Sequence, residues 1–440
     1  QMSVDLGADP LTAHFSGCPA PTVDAVVAQA TEMAGRPGVR AIMVDGPAFH
    51  NRGANAGCEL AAVIAVATAY LRLLTRAGTG IADALGQISF RLAADDDQFM
   101  TIAKFRAARR LWARVADVVG QPEHGDARLH AVTSLPMMTQ RDPWVNMLRT
   151  TVAAFGAGIG GADSVQVLPF DVAIPGGFPG MSADFARRIA RNTQLLLLEE
   201  SHLGRVLDAA GGSWYVEDLT ETLAAQAWSH FQDIEAKGGF QHAYDHIAEQ
   251  IDDVRTRRAD DIAHRRTAIT GVNEFPNLAE RPLPSHPDTG DIHRYAMAFE
   301  ALRDRSDGYV ARTGTRPRVL LLPLGPLAEH TIRTTFVTNL LASGGIEAIN
   351  PGTIEPVTVA AAVEHAGAST AVICGADERY RSEAVGVVAA ARAAGCDVIY
   401  LAGRASALNG IPSDQYPDGF LYANINAVQE LSTLLARLGA

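Results

Sequence analysis

The feature that most constrains the fold is an alternation of strand and helix patterns that runs through the chain twice. In the first pass, to about residue 220, short apolar runs read as strands: "MSVDL" (2–6), "VRAIMVDG" (39–46), "QISFRLA" (87–93), "RLHAVTS" (128–134) and "DSVQVLPF" (163–170). Between them, stretches near 22–34, 54–76, 97–119, 142–158 and 183–203 repeat apolar residues every three or four positions, the period of an amphipathic helix. Strand, helix, strand in succession requires right-handed crossovers and a parallel sheet. Closing such a sheet into a barrel takes eight units. Only five or six are countable, so the expectation is a partial (β/α)8 TIM-barrel domain whose first units lie upstream of Gln1.

Residues 217–265 read as helical throughout, and 270–317 combines "GVNEFPNLAERPLPSHPDTG" with a charged helix near 291–306. Its Pro, Asn and Asp density without a sustained period marks a linker or wrapping arm. From Arg318 the alternation resumes with "VLLLPL", "IEAINP", "TAVICG", "DVIYLAG" and "GFLYANI", separated by helical stretches. Five strands over about 125 residues are the length of a doubly wound, flavodoxin-like α/β domain. The expected organisation is a barrel domain over 1–240, a helical and irregular linker over 241–315, and the doubly wound domain over 316–440.

Composition narrows the function. Hydrophobic residues are 48% and charged residues 20% of 440, enough to bury full cores, and disorder is not indicated. Apolar stretches such as 60–71 are short for a bilayer span and the first residues carry no signal core, so a cytoplasmic location is expected. Net charge is −12 with no basic tail, which argues against nucleic acid as the main partner. The exception is "KFRAARRLWAR" (104–114), where the arginines share one helical face opposite Phe105, Ala108, Trp112 and Val115; this reads as a solvated face or a subunit contact. Cys18, Cys58, Cys374 and Cys396 form no CxxC or Cys/His cluster, so buried free thiols are expected rather than zinc or disulfides.

Four long segments carry a resemblance: "IAKFRAARRLWARV" (102–115), "HAVTSLPMMTQRDPWVNMLRTTVAAFGAGIGGADSV" (130–165), "ARRIARNTQLLLLEESHLGRVLDAAGGSWYVEDLT" (186–220) and "RPRVLLLPLG" (316–325). In family order, they resemble the acyl-CoA mutases that use adenosylcobalamin, above all the methylmalonyl-CoA mutases. In that family the strand beginning Arg-Pro-Arg is followed by Gly-x-Asp-x-His-x-x-Gly. There the histidine is the lower axial ligand of cobalt, the aspartate supports its other ring nitrogen, and the glycine leaves room for the nucleotide tail. Counted from Gly325, these positions hold Leu327, Glu329 and Ile332, so all three motif residues are replaced. Moving the register by one makes His330 the candidate ligand but puts Ala328 and Arg333 at the flanking positions, which fails as well.

The family's barrel strand reads "HxQTSG", its histidine donating to the thioester carbonyl. Here His130 matches, while Val132 and Leu135 replace the glutamine and glycine, which makes His130 a relic candidate. Asp95, Asp96 and Asp97 align with a loop lining the family's acyl pocket. Three carboxylates there would repel a dicarboxylic acyl group, whereas Asp95 or Asp96 as a helix cap, with the others on the helix dipole, makes ordinary sense. "GPAFHNRGAN" (46–55) places His50 at a strand end before Gly53, a plausible glycine for close helix packing, and nothing in it compels a metal. No P-loop, GxSxG, HExxH or GxGxxG after a strand is present, and "GAGIGGAD" (156–163) reads as a helix end.

The resemblance therefore implies the small, cofactor-free chain of a heterodimeric mutase. It implies no catalytic, cofactor or metal residues of its own, a large catalytic subunit as partner, and adenosylcobalamin and acyl-CoA bound in that partner. Two rival readings are a divergent mutase acting alone through His330 and an acyl-CoA-binding regulatory subunit.

Overall fold

The computed structural model describes residues 3–283 and 292–440. Residues 284–291 of the expected linker and Met2 of the expected first strand lie outside the described residues. The chain divides into two compact units. One holds Gln1–Thr139, Pro143–Arg258 and the segment ending at Tyr295; the other holds Gln140–Asp142, the stretch from Ala259, and Ala296–Ala440.

The first unit has a five-stranded sheet in sequence order: β1 (Val4–Ala8), β2 (Val39–Asp45), β3 (Ile88–Ala94), β4 (Leu129–Thr133) and β5 (Ser164–Gln166). All neighbours are parallel, as the helices between successive strands require. In β2, β3 and β4 one face is apolar and buried, with Ile42, Val44, Phe90, Leu92, Leu129 and Ala131 in a core shared with the covering helices. The other face carries an in-register row across four strands, Asp45, Arg91, His130 and Ser164. β1 runs two residues past its expected end at Leu6, through a register shift between Asp5 and Ala8 around Gly7, whose φ of 76° suits glycine. β5 is three residues long where eight were expected; past Gln166 the Leu168 amide donates to Thr133 Oγ1 rather than to the ladder.

The helix Ala56–Arg76 is long and apolar enough to cross a membrane by length and composition, but 83% of its apolar window is buried within the structure. It packs against the helices Gln98–Val118 and Trp214–Ala236. The arginines of the helix Gln98–Val118 do not form a free solvated face. Arg106 pairs with Asp208 and Glu217, Arg110 with Glu217 and Glu221, and Arg109 with Asp163. The stretch 217–265 is two helices, Trp214–Ala236 and Tyr244–Ala263, broken where Gly238 and Gly239 adopt positive φ. Three cysteines are buried and free as expected, while Cys18 is exposed.

The second unit is a parallel sheet of β6 (Arg318–Pro323), β7 (Glu347–Ile349), β8 (Thr370–Cys374), β9 (Val398–Ala402) and β10 (Gly419–Leu421), in the order β10-β9-β8-β6-β7. The chain steps from β6 outward to β7 and then returns to place β8 on the other side of β6. Strand order therefore reverses between β6 and β8. In open parallel sheets the carboxyl ends of two such strands flank the usual ligand crevice. The charged helix expected near 291–306 is Met297–Thr313 and belongs to this unit.

Candidate functional site

The crevice between the carboxyl ends of β6 and β8 is bridged by charged side chains of this chain. After β6 the turn through Gly325 leads into the helix Leu327–Ser343; after β8 the chain enters the helix Asp377–Ala393. Glu329 from the first helix and Arg379 from the second meet at 2.7 Å, and Arg379 also reaches Glu383 at 2.8 Å. A Cβ built at Gly325 would lie 2.8 Å from Glu329 Oε2 and 2.9 Å from Arg379 Nε, so the pair sits directly on the turn. One helical turn later, Arg333 donates to the Ala402 carbonyl at the end of β9 (2.9 Å) and pairs with Asp377 (3.1 Å). The Arg379 guanidinium holds the Glu329 carboxyl below its ordinary pKa, so the pair stays charged at neutral pH.

The candidate ligand positions fall on opposite sides of the surface. Leu327 and Ile332 are 72% and 79% exposed, whereas His330 is only 3% exposed, with Nδ1 lacking a hydrogen-bond partner. His330 is thus an interior residue of its helix.

In the first unit, His130 has both ring nitrogens engaged. Nδ1 lies 2.7 Å from Ser164 Oγ on β5 and Nε2 lies 3.1 Å from Asp5 Oδ2 on β1. Burial opposes ionisation of Asp5, yet hydrogen bonds from His130 and Ser89 hold its pKa below the ordinary value. A histidine bonded on both sides has no free N–H for a thioester carbonyl.

A second polar constellation gathers at the carboxyl ends of β2, β3 and β4. His50 follows β2, Asp95 and Asp96 follow β3, and Ser134 follows β4. His50 Nε2 is 2.7 Å from Ser134 Oγ and 3.9 Å from Asp95 Oδ2, and Nδ1 is 3.7 Å from Glu59 Oε2. Tyr295 donates its hydroxyl to Asp95 at 2.6 Å. Burial drives the His50 pKa down to about 4, so the imidazole is neutral at physiological pH. Burial also opposes charge on Asp95, but His50, the Tyr295 hydroxyl and Lys104 outweigh it and keep its pKa low. Asp96 is pushed up to about 7 by burial and by the charge of Asp95, with Arg149 opposing the rise from 3.8 Å.

The capping expectation needs correction. Asp97, not Asp95 or Asp96, caps the helix Gln98–Val118, accepting from the Met100 amide at 3.1 Å. The sequence reading also missed Glu59, Lys104 and Tyr295. Lys104 carried a usable signal, since it lies four and eight residues before Ala108 and Trp112, on the buried face of its helix. Tyr295 carried none, because its contact with Asp95 spans 200 residues. Among the described residues no group of three or more His, Cys, Asp or Glu is arranged to hold a metal ion.

Comparison with known proteins decides the family. The family model for methylmalonyl-CoA mutase matches residues 15–311. The chain belongs to the methylmalonyl-CoA mutase family. Within it, the chain is 68% identical over 440 residues to a probable methylmalonyl-CoA mutase small subunit of Mycobacterium tuberculosis, covering 100% of this chain and 71% of that protein. It is 46% identical over 445 residues to the methylmalonyl-CoA mutase small subunit of Streptomyces virginiae, covering 99% of this chain and 70% of that one. The corresponding small subunit of Propionibacterium freudenreichii subsp. shermanii is 37% identical over 417 residues, 92% of this chain and 64% of its own length.

Proposed function

We propose that this chain is the non-catalytic small subunit of a heterodimeric methylmalonyl-CoA mutase, acting in the cytoplasm. Its large partner interconverts succinyl-CoA and methylmalonyl-CoA through adenosylcobalamin. The single observation that carries the reading is the Glu329–Arg379 pair lying on Gly325. Adenosylcobalamin would need that turn for its nucleotide tail and a histidine supported by a carboxylate for its cobalt. The residues present do not fit it: Leu327, Glu329 and Ile332 stand at the three motif positions, two ion pairs bridge the crevice, and His330 is buried. His130, bonded to both Ser164 and Asp5, supports the same reading for the barrel residue. We assign the cofactor and the acyl-CoA substrate to the partner.

The fold assignment follows the same line. The second sheet's order, counted from its own first strand as 2-1-3-4-5, supports a flavodoxin-like domain. The first sheet, with each strand beside its predecessor, supports part of a (β/α)8 barrel.

The experiment is a titration of the purified chain with adenosylcobalamin, followed by an activity assay with and without the large subunit. The proposal expects an unchanged cobalamin absorption spectrum and turnover only in the presence of the large chain. Tight cobalamin binding or turnover by the isolated chain overturns it.

A further inference from the structure

The helix Ala183–Leu195 follows the loop after β5 and starts at Ser182, whose hydroxyl caps it by accepting from the Phe185 amide. Beside its first turns lies an open cavity of about 460 Å3 lined by Ser182, Asp184, Phe185, Arg187, Arg188 and Arg191. Three of these six side chains are guanidinium groups. Asp184 pairs with Arg187 at 2.6 Å, while among the described residues Arg188 and Arg191 have no carboxylate within ion-pair distance. On other helices Arg106, Arg110, Arg333 and Arg379 are each matched to a carboxylate. Arg188 and Arg191 are three residues apart on one helix, where like charges are neighbours and repel, so an anion placed between them relieves that repulsion.

One of the lining residues, Phe185, is aromatic. Arg188 lies over the Phe185 ring, 5.5 Å from its centroid, and Phe185 stands edge-on to Phe170, which stacks on Trp144 at 5.0 Å. Planar guanidinium forks match phosphate oxygens in pairs, and an aromatic face accepts a base or sugar. The volume is that of a small-molecule site, larger than a lone inorganic phosphate needs. We propose that this cavity binds a phosphate-bearing molecule of nucleotide size, with its phosphates on Arg188 and Arg191 and its base against Phe185. The site is separate from the β6–β8 crevice and does not depend on the subunit role proposed above.

The test is isothermal titration of the full chain with ADP and with inorganic pyrophosphate, in low and in moderate salt. The unaltered chain is expected to bind ADP, more weakly as salt rises. The double variant R188A/R191A is expected to lose at least about tenfold per guanidinium removed, and R188K/R191K to retain part of the affinity, because the charge stays while the fork is lost. Both arginines are exposed, and an unchanged circular dichroism spectrum confirms that the variants fold. Stronger binding of ADP than of pyrophosphate assigns the site to nucleotides, and the reverse order to polyphosphate anions without a base. No binding of either probe up to about 1 mM, the weak end of specific affinity, overturns the proposal. So does ADP affinity that is unchanged in R188A/R191A.

Discussion

Lys104 Nζ lies 2.7 Å from Glu59 Oε2, with the two side chains 3% and 0% exposed. The pair joins the helices Ala56–Arg76 and Gln98–Val118, and Glu59 also accepts from the Ala93 amide on β3 at 2.8 Å. Every acceptor contact of that carboxylate therefore serves to fix two helices against the sheet. Space for it exists only because residue 46 is glycine: a Cβ there would lie 2.6 Å from Glu59 Oε1 and 2.7 Å from the Arg91 carbonyl.

Removing one partner of this pair leaves a buried charge without compensation. Lys104→Met is expected to destabilise the chain by about 3–5 kcal/mol, whereas the double variant Glu59→Gln/Lys104→Met recovers most of the loss. Urea unfolding of the single and double variants measures the difference. A single variant as stable as the parent would mean that Glu59 is neutral in the folded chain.

The arginine face of the helix Gln98–Val118 separates two kinds of ion pair. Arg106, largely buried, donates to Asp208 at 2.9 Å, Glu217 at 2.6 Å and Thr220 at 3.2 Å, while Arg114 makes only an exposed pair with Asp117. Arg106→Ala is expected to cost about 1–3 kcal/mol, since it removes hydrogen bonds between charged groups and the packing of the stem. Arg114→Ala should stay within about 0.5 kcal/mol of the parent. Equal losses on chemical denaturation would contradict the difference in burial.

Much of the fold was legible because its signal is local. The apolar runs behind β2, β3, β4, β6, β8 and β9 each fill a buried strand within a residue or two of the expected bounds. The ends of β1 and β5 were misplaced because a register shift around Gly7 and the bond of the Leu168 amide to Thr133 Oγ1 are not encoded in apolar period. The site was less legible. That Leu327, Glu329 and Ile332 follow Gly325 was readable by counting, but Arg379 as the residue that covers Gly325 comes from a helix 50 residues away. Asp95–Asp97 were readable as a helix start, yet their division into one cap and two carboxyls held by other partners depends on Tyr295 and Arg149.

That division has a pH signature. The Asp96 pKa rises from 3.8 in the unfolded chain to about 7 in the fold, through burial and the neighbouring Asp95 charge. Between those values the folded state holds a proton that the unfolded state has released. Stability must therefore fall as pH rises from about 4 to about 7, opposite to the usual salt-bridged carboxylate. Asp96→Asn removes the linkage and is expected to flatten the dependence of the melting temperature on pH across that window, gaining most above pH 7. A profile parallel to the parent's would assign the dependence to another group.

The crevice of the second unit makes the last prediction. Writing the family motif into the chain as Leu327→Asp, Glu329→His and Ile332→Gly would supply ligand, support and clearance, and it also removes one of the two carboxylates that Arg379 pairs with. The guanidinium would remain beside Gly325, held by Glu383, and Arg333 would still span to the Ala402 carbonyl across the same space. The triple variant is therefore expected to show no change in the visible spectrum of added cobalamin. Adding Arg333→Gly and Arg379→Ala opens the crevice, and measurable binding is expected only then. Because Glu329–Arg379 is a surface pair that adds little to stability, both variants should remain folded, so spectral titration isolates binding from stability. Cobalamin uptake by the triple variant alone would show that sequence at three positions, and not the ion pairs across the crevice, excludes the cofactor.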